Sequence, residues 1–181
     1  LWPGTEPGHS PDLAPLLAGL VIAQAFSELG LELHIKWPND LLLDERKVGG
    51  ILVEERAGRV MVGMGLNLVA APGPEELRAE YACAAGVVRE LEGDLGPLGL
   101  WAELVTRARA WYAANAAGTE SASLMLLVEA RLAWLGSRVA VRDSGFDKTL
   151  GRIVGISASG ALRLVRGGRE HLVATGSIMP L

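Results

Sequence analysis

The stretch from residue 36 to residue 52 reads KWPNDLLLDERKVGGIL, and its pattern predicts two antiparallel strands joined by a tight turn. The run LLL and the run VGGIL flank polar residues 44–46, where we expect the hairpin turn. An alternating segment, ELHIKW, comes just before and ends at Pro38, which fixes its own φ and holds Trp37 extended. We therefore expect a short strand followed by a β-hairpin in this stretch.

Two of the three lysines of the chain fall in this stretch. Lysine and arginine together number 17, yet only Lys36, Lys47 and Lys148 are lysines. An ammonium is a compact point charge, whereas a guanidinium is a broad planar fork, so the choice favours a site that needs a small cation. Chance placement on a polar hairpin is the competing interpretation.

Length and composition restrict the class of protein. The 181 residues suffice for one domain with a small appendage, and 50% hydrophobic content allows a sizeable core. The net charge of −4 argues against a general nucleic-acid binder. Cys83 is the single cysteine, which fits a reducing, cytoplasmic setting. There is no apolar run near the roughly 20 residues that span a bilayer and no signal peptide. Because the sequence starts at Leu1 rather than methionine, we expect residues upstream.

The N-terminal part of the chain mixes helices with strands. A helix is predicted from a cap at Ser10 or Asp12 to about Leu29, closed by Gly30. A turn at 57–58 leads into the apolar strand RVMVGMGLNL. The stretch from 74 to 134 is helical by pattern, with its two clearest helices at about 98–117 and 121–135. We expect their tryptophans to be core residues: Trp101, Trp111 and Trp134.

After Gly136 the sequence changes from helical patterns to patterns typical of short β-strands. Four short strands follow, SRVAVRD, TLGRIVGIS, ALRLVRG and EHLVATG, with turns expected at 159–160 and 167–168. We therefore divide the chain into residues 1–135 and a small all-β unit, residues 136–181.

Polar residues and glycines accumulate on neighbouring predicted strands. Asn39 and Asp40 follow Pro38 and are candidate site residues, although Asn and Asp after a proline are also common in ordinary turns. Glycines at 49, 50, 63 and 65 leave a sheet face bare, which suits a flat ligand, although a β-bulge or close packing would also explain them. The lysines suit a phosphate or carboxylate, and Asn67 suits the edge of a base. Neither a Walker nor a Rossmann motif is present.

These motifs together resemble one family. KWPND, RKVGGIL and GMGLN are similar, in order and spacing, to the KWPND, K[LV]xGIL and GxGxN of the biotin protein ligase family. The C-terminal segment resembles that family's SH3-like domain, with GSI where GEV or GEI is frequent. The resemblance implies an α+β fold, in which a mixed β-sheet packed with helices, of the class II synthetase and biotin ligase type, precedes a small SH3-like β-barrel.

The resemblance also implies an enzyme that uses biotin, ATP and Mg²⁺. Biotin is first converted to biotinyl-adenylate and then transferred to a lysine of a biotin carboxyl carrier protein. Lys47 is expected against the biotin carboxylate and the α-phosphate, and Lys36 on the phosphate side or orienting Asp40. Asp40 is expected to assist the carrier lysine or a magnesium shell, and Asn39 to fix the geometry. The expected binding residues are Gly49, Gly50, Ile51, Leu52, Gly63 and Gly65, with Asn67 at the adenine.

The family's GRGRxGRxW loop and its Ser-Thr-Asn segment do not occur in these residues, and we expect them upstream of Leu1. Two alternatives stay open: an inactive relative that binds biotin or its adenylate, and an enzyme like a lipoate or octanoyl transferase. A homodimer is also left open. Contact with DNA is expected only if a helix-turn-helix precedes this sequence, and no contact with a membrane is expected.

Overall fold

The computed structural model describes residues 13–57, 59–73, 75, 83–88, 95–142 and 148–181. Two antiparallel sheets and three helices make up this part of the chain. The helices are α1 (Ala14–Ser27), α2 (Gly96–Asn115) and α3 (Ser121–Ala130). The strands are β1 (His34–Lys36), β2 (Asp40–Leu43), β3 (Arg46–Arg56), β4 (Arg59–Leu66), β5 (Arg138–Arg142), β6 (Lys148–Ile156), β7 (Leu162–Arg166), β8 (Arg169–Val173) and β9 (Ser177–Pro180).

The first sheet has the strand order β1-β2-β3-β4, with every neighbouring pair antiparallel. Among the described residues, parallel pairing is confined to two isolated bridges, Ile35 with Leu132 and Lys47 with Ala85. The predicted hairpin is confirmed, because β2 and β3 are joined by Asp44 and Glu45 at φ of 47° and 61°. Positive φ at both central residues is what a two-residue turn needs to match the twist of its strands.

Helix α1 covers one face of this sheet. It is apolar on almost every side and nine of its residues are buried, which is typical of a helix inside a core. Gly19 lets the helix approach closely, since a Cβ there would lie 3.5 Å from Ile51 Cδ1 and 3.6 Å from Ile35 Cδ1. The helix ends at Ser27, two residues earlier than predicted. The cap candidates Ser10 and Asp12 lie outside the described residues.

The second sheet is a five-stranded antiparallel sheet of order β8-β7-β6-β5-β9. The predicted turns are confirmed by positive φ at Gly160, Gly167 and Gly168. Strand β9, which the sequence did not predict, pairs with β5. Residues of this sheet share one buried cluster with α1, β1 and α3, and the indole Nε1 of Trp37 donates to the Gly160 carbonyl at 3.0 Å. We keep the division after residue 135, between α3 and β5, as a proposal.

Two predicted helical stretches are wrong. Residues 83–88 are extended, because their backbone bonds to β3: Lys47 N–H donates to Ala84 O and Gly86 N–H to Lys47 O, both at 2.8 Å. Helix α3 ends at Ala130 rather than near 135, because residues 131–133 bond to the edge of β1. The open backbone groups of a strand edge outcompete a helical pattern in both places.

The prediction that all three helix tryptophans are core residues is also wrong for one of them. Trp101 is 49% exposed. Trp111 and Trp134 are partly buried and pack against the core. Within the described residues, no helix has the length and apolar content needed to cross a membrane.

Candidate active site

A β-bulge in β3 brings Lys47 to the same face of the sheet as Asp40. Asp40 pairs with Gly50 and Leu41 with Gly49, but Leu42 pairs with Lys47, so Val48 is an extra residue without a cross-strand partner. On a regular strand, residues three apart point to opposite faces. The extra residue reverses that rule, so that Lys47 and Gly50 face the same way.

Asp40 holds both lysines of the motif. Its Oδ2 lies 2.9 Å from Lys36 Nζ and its Oδ1 lies 2.5 Å from Lys47 Nζ. Lys36 also donates to the Ser177 hydroxyl of β9 at 3.5 Å. The Lys36 side chain is 4% exposed, whereas that of Lys47 is 42% exposed. Two ammonium groups around one carboxylate leave a net positive charge, and only the Lys47 end of the cluster reaches solvent.

The sheet face beside this cluster is bare, and we call it the open face. Its residues are Lys36, Asp40, Gly50, Leu52, Gly63 and Gly65, related by the pairings Lys36–Asp40, Asp40–Gly50, Gly50–Gly65 and Leu52–Gly63. A Cβ on Gly65 would meet nothing within 4 Å, and one on Gly63 would meet only Leu52 O at 3.8 Å. Packing therefore does not require glycine at these two positions, and the open face can accept a flat ligand.

The other glycines of the motif differ in what surrounds them. A Cβ on Gly50 would lie 3.5 Å from Asp40 Oδ1 and 3.7 Å from Lys47 Nζ, directly beside the charged cluster. A Cβ on Gly49 would lie only 2.5 Å from Gly65 O and 2.7 Å from Leu66 Cδ2. Gly49 is therefore needed for the close pairing of β3 with β4, whereas Gly50 leaves room on the open face.

The two aliphatic residues after Gly50 also face opposite ways. Leu52 is 62% exposed on the open face, so it can contact a ligand there. Ile51 is 2% exposed and lies against α1 beneath the sheet. Its side chain is therefore turned away from the ligand surface that the sequence predicted for it.

Both asparagines of the motifs hold the backbone around the cluster. Asn39 Nδ2 donates to Ile51 O at 2.8 Å, and Ile51 N–H donates back to the Asn39 carbonyl at 2.8 Å. Asn67 Nδ2 donates to Gly86 O at 3.0 Å and more weakly to Lys47 O at 3.4 Å. The N–H of Asn67 bonds to Val48 O, the carbonyl of the bulged residue, at 2.8 Å. Asn67 therefore secures the bulge that aims Lys47.

Two family models match the parts of the chain that form this arrangement. The Biotin/lipoate A/B protein ligase family matches residues 5–68, which include the charged cluster and the open face. The biotin protein ligase C terminal domain matches residues 134–179, which include the second sheet. The chain belongs to the biotin protein ligase family.

Relatives of this biotin protein ligase family member are similar over most of its length. The biotin–[acetyl-CoA-carboxylase] ligase of Mycobacterium tuberculosis is 32% identical over 170 residues, which cover 92% of this chain and 61% of the relative. The chain thus spans about three fifths of that protein.

Solved structures show the same fold. The apo biotin protein ligase of Aquifex aeolicus is 23% identical, with a TM-score of 0.76 over 92% of this chain and 74% of that one. The Aquifex aeolicus enzyme in complex with biotin and ATP is 23% identical, with a TM-score of 0.72 over 94% of this chain and 71% of that one.

The site of this biotin protein ligase family member also includes residues that the motifs did not indicate. Ser177 reaches Lys36 from the second sheet, and residues 84–86 bond to Lys47 through the backbone. Burial raises the pKa of the Cys83 thiol, and the positive charge of Lys36 offsets part of this rise. Of these residues, only Ser177 lies in a motif that the sequence analysis had noted, the GSI of the C-terminal segment, and that motif had not been connected with the site.

The described residues do not offer a resident magnesium site. Both oxygens of Asp40 face ammonium groups, so the carboxylate that the sequence suggested for a magnesium shell is engaged in two ion pairs. No group of three or more His, Cys, Asp or Glu residues comes together in the described part of the chain. We therefore assign no step to a metal held by these residues.

Proposed function

We propose that this chain forms the adenylating centre of an enzyme that attaches biotin to a lysine of a carrier domain. The observation that carries the proposal is the pair of lysines around Asp40 at the edge of the open face. A positively charged cluster beside a bare sheet suits a flat, apolar ring system whose carboxylate must meet a phosphate. The domain matches and the named activity of the mycobacterial relative support the same reaction.

In the first step, a carboxylate oxygen of biotin attacks the α-phosphorus of ATP. A new O–P bond forms, the bond to the β-phosphate breaks, and pyrophosphate leaves with its electron pair. Both reactants are anions, so fixed positive charge lowers the barrier to their meeting. Lys47 supplies this charge because its ammonium lies at the exposed end of the cluster.

Lys36 and Asp40 position Lys47 rather than contact the ligand. Lys36 is buried behind Asp40 and holds one carboxylate oxygen, while the other oxygen holds Lys47 beside Gly50. A charged group that is already held in place needs no reorganisation when the transition state forms. Asn67 contributes indirectly by holding the bulge, which leaves its Oδ1 as the atom available to an adenine amino group.

In the second step, the neutral amine of the carrier lysine attacks the biotinyl carbonyl. The new C–N bond forms, the bond to the AMP phosphate oxygen breaks, and the amine proton leaves to solvent. The positive charge that favoured the first step now stabilises the departing AMP. The implied partner is a biotin carboxyl carrier domain, and the lone Cys83 fits a reducing, cytoplasmic setting.

The test is biotin-dependent exchange of labelled pyrophosphate into ATP by the intact protein, followed by labelling of an apo carrier domain. Biotin should support exchange, whereas lipoate and octanoate should not. Lys47→Gln should reduce exchange about a hundredfold, whereas Lys148→Gln, in the second sheet, should retain it. Exchange that proceeds equally with lipoate, or that does not depend on Lys47, would reject the proposal.

A further inference from the structure

Charge is divided unevenly along the chain. Residues 136–181 carry Lys148 and six arginines against three acids, which gives a formal charge of +4. The 135 residues before them carry ten cations and 18 acids, which gives −8. An acidic partner is therefore repelled by residues 1–135 and attracted by residues 136–181.

The outer face of that sheet places two cations directly opposite each other. Arg138 of β5 pairs with Arg152 of β6, and both side chains are exposed. The same row continues across the sheet through Val165 to Glu170. Like charges directly opposite on neighbouring strands are destabilising, so the Arg138–Arg152 pair lowers the stability of the sheet.

Other residues of the described sheet do not neutralise this pair. Glu170 lies two strand spacings from Arg152, about 10 Å, and makes a bidentate contact with Arg163 at 2.8 and 3.1 Å. That contact lowers the pKa of Glu170 and keeps its charge engaged with Arg163. Among the described residues, no acid forms an ion pair with Arg138 or Arg152.

The pair lies on the strand that borders the reaction centre. Strand β5 pairs with β9, whose Ser177 hydroxyl lies 3.5 Å from Lys36 Nζ. Strands β7 and β8 lie at the opposite edge of the sheet, and their turn carries a second like-charge pair, Arg166 with Arg169. The two pairs have the same chemistry, but Arg138 lies on the strand next to β9. Arg142, four residues further along β5, pairs with Ser177 and, on its other side, with Lys148 of β6.

We propose that Arg138 and Arg152 form a docking face for an acidic surface of the carrier domain that brings its lysine to the site. The proposal rests on the proposed function. A carrier lysine must approach a centre with two ammonium groups, which repel it until it loses its proton. Attraction at a separate cationic face offsets this repulsion and raises the rate of productive encounters. Arg138 lies roughly 13 Å along β5 from the residue that pairs with Ser177, so a carrier domain docked on this face borders the site.

The experiment compares two double variants of the intact protein with equal changes in net charge. Arg138→Glu with Arg152→Glu removes the docking face, and Arg166→Glu with Arg169→Glu is the matched control. Each protein is assayed for biotin-dependent pyrophosphate exchange and for labelling of a purified apo biotin carboxyl carrier domain at varied concentration. The first variant should raise the KM for the carrier about tenfold and flatten its dependence on NaCl, with exchange unchanged. The control should change the carrier KM by less than about twofold.

Each outcome decides the proposal. Equal carrier KM in the two variants would reject the docking face, while exchange in all three proteins would leave the proposed function standing. Absence of exchange in the unchanged protein would reject the proposed function and this proposal with it. A double-stranded DNA oligonucleotide that binds more tightly than the carrier, and loses binding in the first variant alone, would assign the face to nucleic acid and overturn the proposal.

A folding measurement separates loss of docking from loss of structure. Because the two arginines repel each other, Arg152→Glu alone should raise Tm by about 2 °C while it raises the carrier KM. A fall in Tm would show that the arginine is retained for stability and would count against the proposal.

Discussion

Replacing Gly65 by alanine should make the protein more stable and its ligand binding weaker. A Cβ at this position meets nothing within 4 Å, and Gly65 lies in regular β4 pairing with Gly50. Alanine restricts the unfolded chain more than glycine does, which is worth about 0.4 to 1 kcal/mol of stability. For a chain of this length, that corresponds to a rise in Tm of about 1 to 4 °C.

The methyl group of Gly65→Ala would stand on the open face. A ligand that lies flat against the strand must then move away or compress the contact, which costs about 1 to 3 kcal/mol. Since about 1.4 kcal/mol is tenfold in affinity, the Kd for biotinyl-adenylate should rise by roughly 5- to 150-fold. Titration calorimetry with a non-hydrolysable biotinyl-adenylate analogue measures the Kd, and differential scanning calorimetry measures Tm.

Gly49→Ala is the matched control, with the same chemical change on the neighbouring strand. Its Cβ would lie 2.5 Å from Gly65 O, so the backbone must shift and Tm should fall. If Gly65→Ala binds the analogue within twofold of the unchanged protein, the open face is not the ligand surface. If Gly65→Ala lowers Tm, glycine is needed there for the fold and the reasoning fails at its first step.

Three further predictions concern single side chains. Lys47→Arg should slow pyrophosphate exchange about a hundredfold, or about 3 kcal/mol, because a guanidinium is too broad for the space beside Asp40. Lys148→Arg should leave the rate unchanged, and equal rates would refute the role of Lys47. Because burial raises the pKa of Cys83, its alkylation by iodoacetamide should have a pH midpoint above that of an ordinary thiol, and a midpoint at or below it would contradict this. The Ser27 hydroxyl, which hydrogen-bonds to Glu32, lowers the pKa of that carboxyl, so its stabilisation is present above the unfolded pKa of about 4.3 and is lost as the pH falls through the folded value. Glu32→Gln should therefore reduce the free energy of unfolding in urea by about 0.5 kcal/mol at neutral pH and leave it unchanged in strong acid. A loss of the same size at both pH values would show that the charge of Glu32 is not the cause.

Local sequence signals predicted much of the first sheet. The turn at Asp44 and Glu45, and the two strands that flank it, follow from residues that are neighbours in the chain. The contact between Lys36 and Asp40 also spans only four residues. Such features depend on turn chemistry and alternation, which a short stretch of sequence carries by itself.

The rest depends on partners that are distant in the chain. Residues 83–88 have a helical pattern, but they are extended because Lys47 offers backbone groups to them. Strand β9 forms because β5 has a free edge, and nothing in its own four residues indicates a strand. Ile51 and Leu52 both appeared suited to line a ligand, and only the packing of α1 decides which of them is buried.

Because Val48 is an extra residue, the chemistry of the site depends on the number of residues between Lys47 and Gly50. Grafting the same motif onto a regular strand would keep every side chain yet turn the Lys47 ammonium toward the helix, away from Asp40. Deleting Val48 would remove the bulge and leave Lys47 two positions before Gly50, so that a regular strand would then keep both on one face. A designer who transfers this site must therefore copy a count of residues as well as their identities. A search for similar sites that scores residue types alone would accept sequences with the motif in the wrong phase.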